Sequence, residues 1–389
     1  MAATDRDLRL DFFRGLSLLF IFLDHIPDNV VSYFTLSNVA FCDAAEVFVF
    51  ISGFTATFVF GGLMNRYGTT FSAVQILKRC WTLYVAHIFL FVIFIAQVSY
   101  TAARFNNPMF LDEMGMAEFL QEPYIAVLKA VVLQFQPEFM NILPLYIVLL
   151  LGFALVLPLL RAQPVLVMTA STVLYVAAAT LHFNLRKFPE GVWYFNPFAW
   201  QFIFLIGAAM ALRRIGIQLP ALQRRHHLLW LSATIVVVTV AIKLAMTFVY
   251  IRTGEFPHVV LRMLYTIGDK TNLEPLRLIN FLALAHVTVT VIRRDHPMFR
   301  RAWAEPVILC GQNSLHIFCL GIFLAVLSHF LLSEISNGLA AQIIASAGGI
   351  LVMVGTAYGM SWSKHRARPE RERGAAAAAP GSRAIQGGE

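Results

Sequence analysis

Apolar runs long enough to cross about 30 Å of hydrocarbon recur along almost the whole of this 389-residue chain. They fall at 10–27, 44–64, 79–102, 141–161, 165–183, 197–213, 228–250, 276–293, 306–332 and 339–362. In lipid only helix bundles and closed barrels satisfy every backbone donor and acceptor, and these runs are too long for barrel strands. The predicted fold is therefore all-α, a polytopic integral membrane protein of about ten transmembrane helices. Composition agrees: 58% of residues are apolar and 13% charged, where soluble domains carry about a quarter charged. The membrane domain is expected over 1–363, followed by a cytoplasmic tail over 364–389 whose Ala, Pro and Gly content predicts disorder.

Basic residues alternate between loops, which sets orientation. With the N-terminus cytoplasmic, Arg6, Arg9, Arg66, Lys78, Arg79, Arg161, Arg213, Arg214, Arg224, Arg225, Arg293, Arg294, Arg300 and Arg301 share one face with the basic run from Lys364 to Arg373. The opposite loops carry mainly carboxylates. The net charge of +8 then reads as topology, with no nucleic acid implied. Both termini are expected in the cytoplasm. The first run carries Asp11, Arg14, Asp24 and His25 and no small-residue cleavage site, unlike a signal peptide. Cys42, Cys80, Cys310 and Cys319 show no metal spacing, and no metal site is expected. Two outer segments break the pattern, 104–140 and 251–275. The first contains the apolar piece Tyr124–Phe135, too short to span and read as an interfacial or re-entrant helix. The second carries Arg252, Glu255, His258, Arg262, Asp269 and Lys270; long ordered loops of this kind are usually functional.

Ionisable groups inside apolar spans are costly and so mark function by default. They concentrate in the first two runs. Arg14 and His25 are eleven residues apart, about 20° around a helix, with Asp11 within roughly 40° of the same line. His25 lies about 16 Å further along the axis than Arg14. Asp24 flanks the stripe, and Pro27 ends the helix. Asp43 and Glu46, at i and i+3, open the second run at the depth of His25, and Ser52-Gly53 permits close helix approach. A carboxylate from Asp24, Asp43 or Glu46 is expected to support His25, whose neutral ring can take a proton from a hydroxyl.

The opening Arg9-Leu-Asp-Phe-Phe-Arg-Gly15, the Arg14/His25 spacing and the Phe50-Ile-Ser-Gly-Phe54 segment resemble the membrane acyltransferase family 3 superfamily. Asp24-His-Ile-Pro27, the Asp43–Gly53 segment and Trp193-Tyr-Phe-Asn-Pro-Phe-Ala-Trp-Gln201 resemble its OpgC branch, whose namesake succinylates osmoregulated periplasmic glucans. The resemblance implies an inner-membrane O-acyltransferase. It would move an acyl group, succinyl by analogy, from cytoplasmic acyl-CoA to a periplasmic glucan or another extracytoplasmic glycan. No cofactor is then bound permanently, since acyl-CoA is a substrate. Membrane lipid and proteins of glucan synthesis or export are the expected partners. His25 matches the essential histidine of the family and Arg14 its arginine, which would handle the donor. Direct transfer and an acyl-histidine intermediate both fit the residues.

Each remaining cluster has a plainer reading. Trp193, Asn196, Trp200 and Gln201 form either an ordinary interfacial belt or a platform on which sugar rings stack. Arg277 and Asn280 share a face near the outer end of the eighth run. They, like Gln312, Asn313 and His316, bond between helices or line the active cavity. Asp11 is either a partner of Arg14 or a participant. The alternative function is a transporter or flippase using the Asp/Glu/His/Arg cluster as a proton or substrate path. That class favours inverted repeats and broken helices in each half, which the sequence does not display. A scaffold subunit would tolerate His25→Gln.

Overall fold

The computed structural model describes residues 7–107, 109–212, 226–254 and 269–378. Among them the chain is helical apart from one isolated bridge, Arg186 to Val192. The larger helices are α1 (Leu8–Asp24), α2 (Ala44–Tyr67), α3 (Thr69–Phe105), α4 (Ile142–Ala162), α5 (Pro164–Leu181) and α6 (Pro197–Leu212). They continue with α7 (His226–Thr253), α8 (Pro275–Val291), α9 (Glu305–Gln312), α10 (Ser314–Glu334) and α11 (Leu339–Ala378). Arg6, Arg213, Arg214, Arg224, Arg225, Glu255, His258 and Arg262 lie outside the described residues, as does the end of the tail from 379.

Among the described residues seven helices, rather than ten, are long and apolar enough to cross a membrane: α2, α3, α4, α5, α7, α10 and α11 as far as Lys364. The runs at 10–27, 197–213 and 276–293 form helices of 17, 16 and 17 residues, only about 24–26 Å long. The second and third remain apolar and fall short in length alone, whereas α1 also carries Arg9, Asp11, Arg14 and Asp24. The run at 306–332 is broken in two at Asn313. The run at 79–102 starts earlier, at Thr69, because Gly68 at φ 85° ends α2 and lets the next helix begin at once. Beyond 364, where composition predicts disorder, α11 continues to Ala378.

Two reciprocal glycine crossings build the centre. A Cβ on Gly53 would overlap the Phe204 carbonyl oxygen, and one on Gly207 that of Phe50, so α2 and α6 touch backbone to backbone. Gly15 and Gly311 do the same for α1 and α9, against Val307 and Asp11. Small residues at such crossings let dispersion contacts and backbone dipoles hold helices together where lipid gives no hydrophobic drive. Helices α5, α7 and α11 lie outside this centre, with Val165, Leu166, Trp230, Val237, Ile344 and Leu351 exposed, as lipid-facing surface requires. Between α3 and α4, the connecting segment forms short helices, including Pro123–Val131, with Tyr124, Leu128 and Val131 exposed.

Candidate active site

Two polar regions occupy opposite ends of α1. At its C-terminal end, His25 caps the helix, and the Ile21 carbonyl accepts both its backbone N–H and, at 2.5 Å, its Nδ1–H. A carbonyl only accepts, so Nδ1 carries the proton and the neutral ring keeps its lone pair on Nε2. Nε2 has no partner among the described residues, is not sealed from solvent, and the Phe139 ring stands edge-on to the imidazole at 4.7 Å. The sequence reading looked for a carboxylate on this ring; the structure supplies a backbone carbonyl instead. Asp24 turns to the loop that follows, accepting from the hydroxyls of Thr35 at 2.5 Å and Ser37 at 3.1 Å.

Asp43 and Glu46 form a capping box on α2. Asp43 Oδ1 accepts from Ala45 N at 2.7 Å, and Glu46 Oε2 accepts from Asp43 N at 2.9 Å. Their remaining oxygens face cations. Arg277 Nε donates to Glu46 Oε1 at 2.8 Å and its Nη2 lies 3.1 Å from Asp43 Oδ2; Lys270 Nζ lies 2.6 Å from the same Oδ2. Two anions and two cations thus close into a neutral buried network. Burial alone would push the Asp43 carboxyl up, but Lys270 and Arg277 outweigh it and hold it well below the usual carboxylate range. Burial likewise opposes the charge on Lys270, and Asp43 more than compensates, so this ammonium sits above its ordinary value. Asn280 does separate work, accepting from Phe41 N at 3.1 Å and donating to Thr239 at 2.8 Å.

The Trp193–Gln201 stretch is buried rather than open to a sugar. Trp193 is 3% exposed, and Asn196 and Trp200 are fully enclosed. Asn196 Nδ2 donates to Phe183 O and to Asn272 Oδ1, its backbone N–H to Thr271 O, and Trp200 Nε1 to Lys270 O at 2.9 Å. Gln201 Nε2 donates to Ser171 O and its Oε1 accepts from Ser171 Oγ, which pins α6 to α5. These residues hold the loop before α8 in place.

At the other end, a cavity of about 230 Å³ opens among α1, α2, α3, α4 and α10. Arg14, Arg79, Ser52, Thr55, Tyr146 and Ser314 supply its polar lining, and no carboxylate lines it. Arg14 donates to Thr55 Oγ1 and sits 3.9 Å from Asp11. Lining residues on α2 run from Phe48 to Phe60, about 18 Å along the axis. The slot therefore starts beside two arginines and reaches the first turns of α2, where Glu46 stands. Arg79 and Thr55 were not singled out by the sequence reading as site residues, Arg79 counting only as a topological charge; Lys270 entered only as one residue of the 251–275 segment.

Residues 6–365 match the family model described as OpgC protein. The chain belongs to the OpgC family. Membership makes it a membrane protein linked to periplasmic glucan modification, in keeping with its seven long apolar helices. No curated protein and no solved structure gives a significant match. Among the described residues no group of three or more His, Cys, Asp or Glu could hold a metal ion, and all four cysteines are free.

Proposed function

We propose that this OpgC-family protein is an O-acyltransferase that moves an acyl group, succinyl by family analogy, from cytoplasmic acyl-CoA to a periplasmic glucan. The observation that carries the reading is the hydrogen bond from His25 Nδ1–H to the Ile21 carbonyl. It presents a basic Nε2 at an open position, as a general base requires. The slot from Arg14 and Arg79 to the first turns of α2 supports the rest of it. Its arginine end suits the phosphates of the donor, and its narrow course suits the pantetheine arm.

In the reaction, a glucan hydroxyl oxygen attacks the thioester carbonyl carbon while His25 Nε2 takes the hydroxyl proton. The tetrahedral intermediate collapses, the C–S bond breaks, and the proton passes from Nε2 to the departing sulfur. The products are the glucan ester and free coenzyme A, and His25 returns to its starting state. The buried aromatic stretch contributes by fixing the loop before α8.

The test is mass spectrometry of periplasmic glucans from cells with the wild-type protein, without it, and with His25→Ala at equal membrane level. An acyl increment present only with the wild type supports the reading, and its mass names the donor. Identical glucans in all three cells sink it.

A further inference from the structure

Just before α4 the chain turns sharply, and the residue at the bend is the wrong type for the bend. Met140 N donates to Pro137 O at 3.3 Å, closing a four-residue turn with Phe139 at its third position. Phe139 holds φ at 66°, while Glu138 at the second position stays out of the positive region. That sign pattern is the type II turn, whose third position calls for Gly or Asn. A Cβ at positive φ crowds the backbone, and for a bulky side chain the conformation is a true outlier.

Anchoring the segment does not account for the choice. Glu138 N donates to Met114 O at 3.2 Å, and Phe188 N to Gln134 O at 2.9 Å. Phe135, 1% exposed, packs against the rings of Phe91, Phe119 and Phe188, and Met140 is fully enclosed. Phe139 itself is only half-buried. Its ring centre lies 4.7 Å from that of His25, with the two planes at 84°. The strained residue is therefore the one that touches the candidate base. Strain of this kind survives only where the surrounding structure over-determines it, and it clusters at functional sites. The bond from Nδ1 to the Ile21 carbonyl fixes one ring atom of His25 and leaves the imidazole able to tilt about that bond. A second ring set square to the first blocks the tilt, in the arrangement that aromatic quadrupoles favour.

We propose that Phe139 is a positioning residue of the reaction centre: carried by the strained turn, its ring fixes the plane of the His25 imidazole and so the direction of Nε2. This proposal rests on His25 being the proton acceptor. A general base must lie within hydrogen-bond reach of the proton it takes, and small misplacements cost rate steeply.

The test compares Phe139→Leu, Phe139→Tyr, Phe139→Ala and Phe139→Gly with the wild type in membranes, using succinyl-CoA and a periplasmic glucan fraction. Phe139→Leu keeps apolar bulk and loses the flat wall. It is expected to lower kcat per folded protein about tenfold or more, with donor KM unchanged. Phe139→Tyr keeps the ring and restores most of kcat. Phe139→Gly and Phe139→Ala both lose the ring and should be about equally slow. Of the two, the Gly variant should melt higher in detergent, because only Gly adopts this φ without strain. Phe139→Gly also decides the matter should Phe139→Leu fail to accumulate. A purely structural role would make activity follow the amount of folded protein, with kcat per folded protein unchanged, and that result overturns the proposal. So does an Ala variant that melts as high as the Gly variant, since the turn would then carry no strain. Wild-type kcat in Phe139→Leu together with an inactive His25→Ala overturns this proposal alone. An active His25→Ala overturns both it and the function above.

Discussion

The two polar ends of α1 are built on opposite principles. At the rim, the Asp43/Glu46 network, every carboxylate oxygen of the pair has a partner, and two cations balance two anions. At the slot, Arg14 and Arg79 line an open space whose lining contains no carboxylate. Such a neutral network leaves little for a ligand to satisfy, whereas the arginine-lined slot offers positive charge to an anion. The difference teaches which end waits for a charged substrate. His25 is held by the Ile21 carbonyl rather than by that network, and under the proposed function the slot is where the anionic donor binds.

The largest effect expected falls on the rim. His25→Gln removes the basic nitrogen and should cut transfer by about 10²–10⁴-fold, read as loss of acylated glucan at unchanged membrane level. Retained transfer would leave the rim without its chemical centre. Arg277→Met strands Glu46 as an uncompensated buried charge, which costs about 3–5 kcal/mol, visible as a lower melting temperature in detergent. The pair Glu46→Gln with Arg277→Met should recover part of that loss, because the stranded charge is gone. No recovery would mean the network is more than mutual neutralisation. Gly53→Leu strikes the helix common to both ends, since α2 carries Glu46 and Thr55. A side chain there drives into the Phe204 backbone and should cost about 1–3 kcal/mol, with less folded protein in the membrane.

Much of this was legible before any coordinates. The small residue at 53 and the i, i+3 carboxylates follow from helical periodicity and sit where periodicity places them. The Asp43/Glu46 pair also carries a signal that the sequence reading passed over: an N-cap acceptor followed three residues later by Glu is a capping box. What periodicity cannot supply is partnership across the bundle. Arg277 and Lys270 lie more than 220 residues from Asp43, and no local rule links them. The same limit explains the buried tryptophans: a belt and a scaffold share a composition, and only packing tells them apart. Helix count failed for a different reason. Hydropathy windows admit 16- and 17-residue segments that structure shows to be shorter than the seven long spans.

The smallest effect expected is at Arg79, and it discriminates most sharply between the two ends. As a topological charge alone, Arg79 would tolerate Gln with little kinetic change, since Lys78 stands beside it in the sequence. As half of an anion site, its loss weakens a charge-assisted contact to the donor made equally in ground and transition states, which raises KM and leaves kcat alone. Arg79→Gln should therefore raise the donor KM about tenfold, or roughly 1.4 kcal/mol, with kcat and the pH profile unchanged. Arg79→Lys should fall between, because an ammonium keeps the charge and loses the planar fork. Added salt should narrow the gap between Arg79→Gln and the wild type, as screening weakens the contact only where the arginine remains. A fall in kcat instead would carry the chemistry of the rim into the slot and dissolve the division of labour between them.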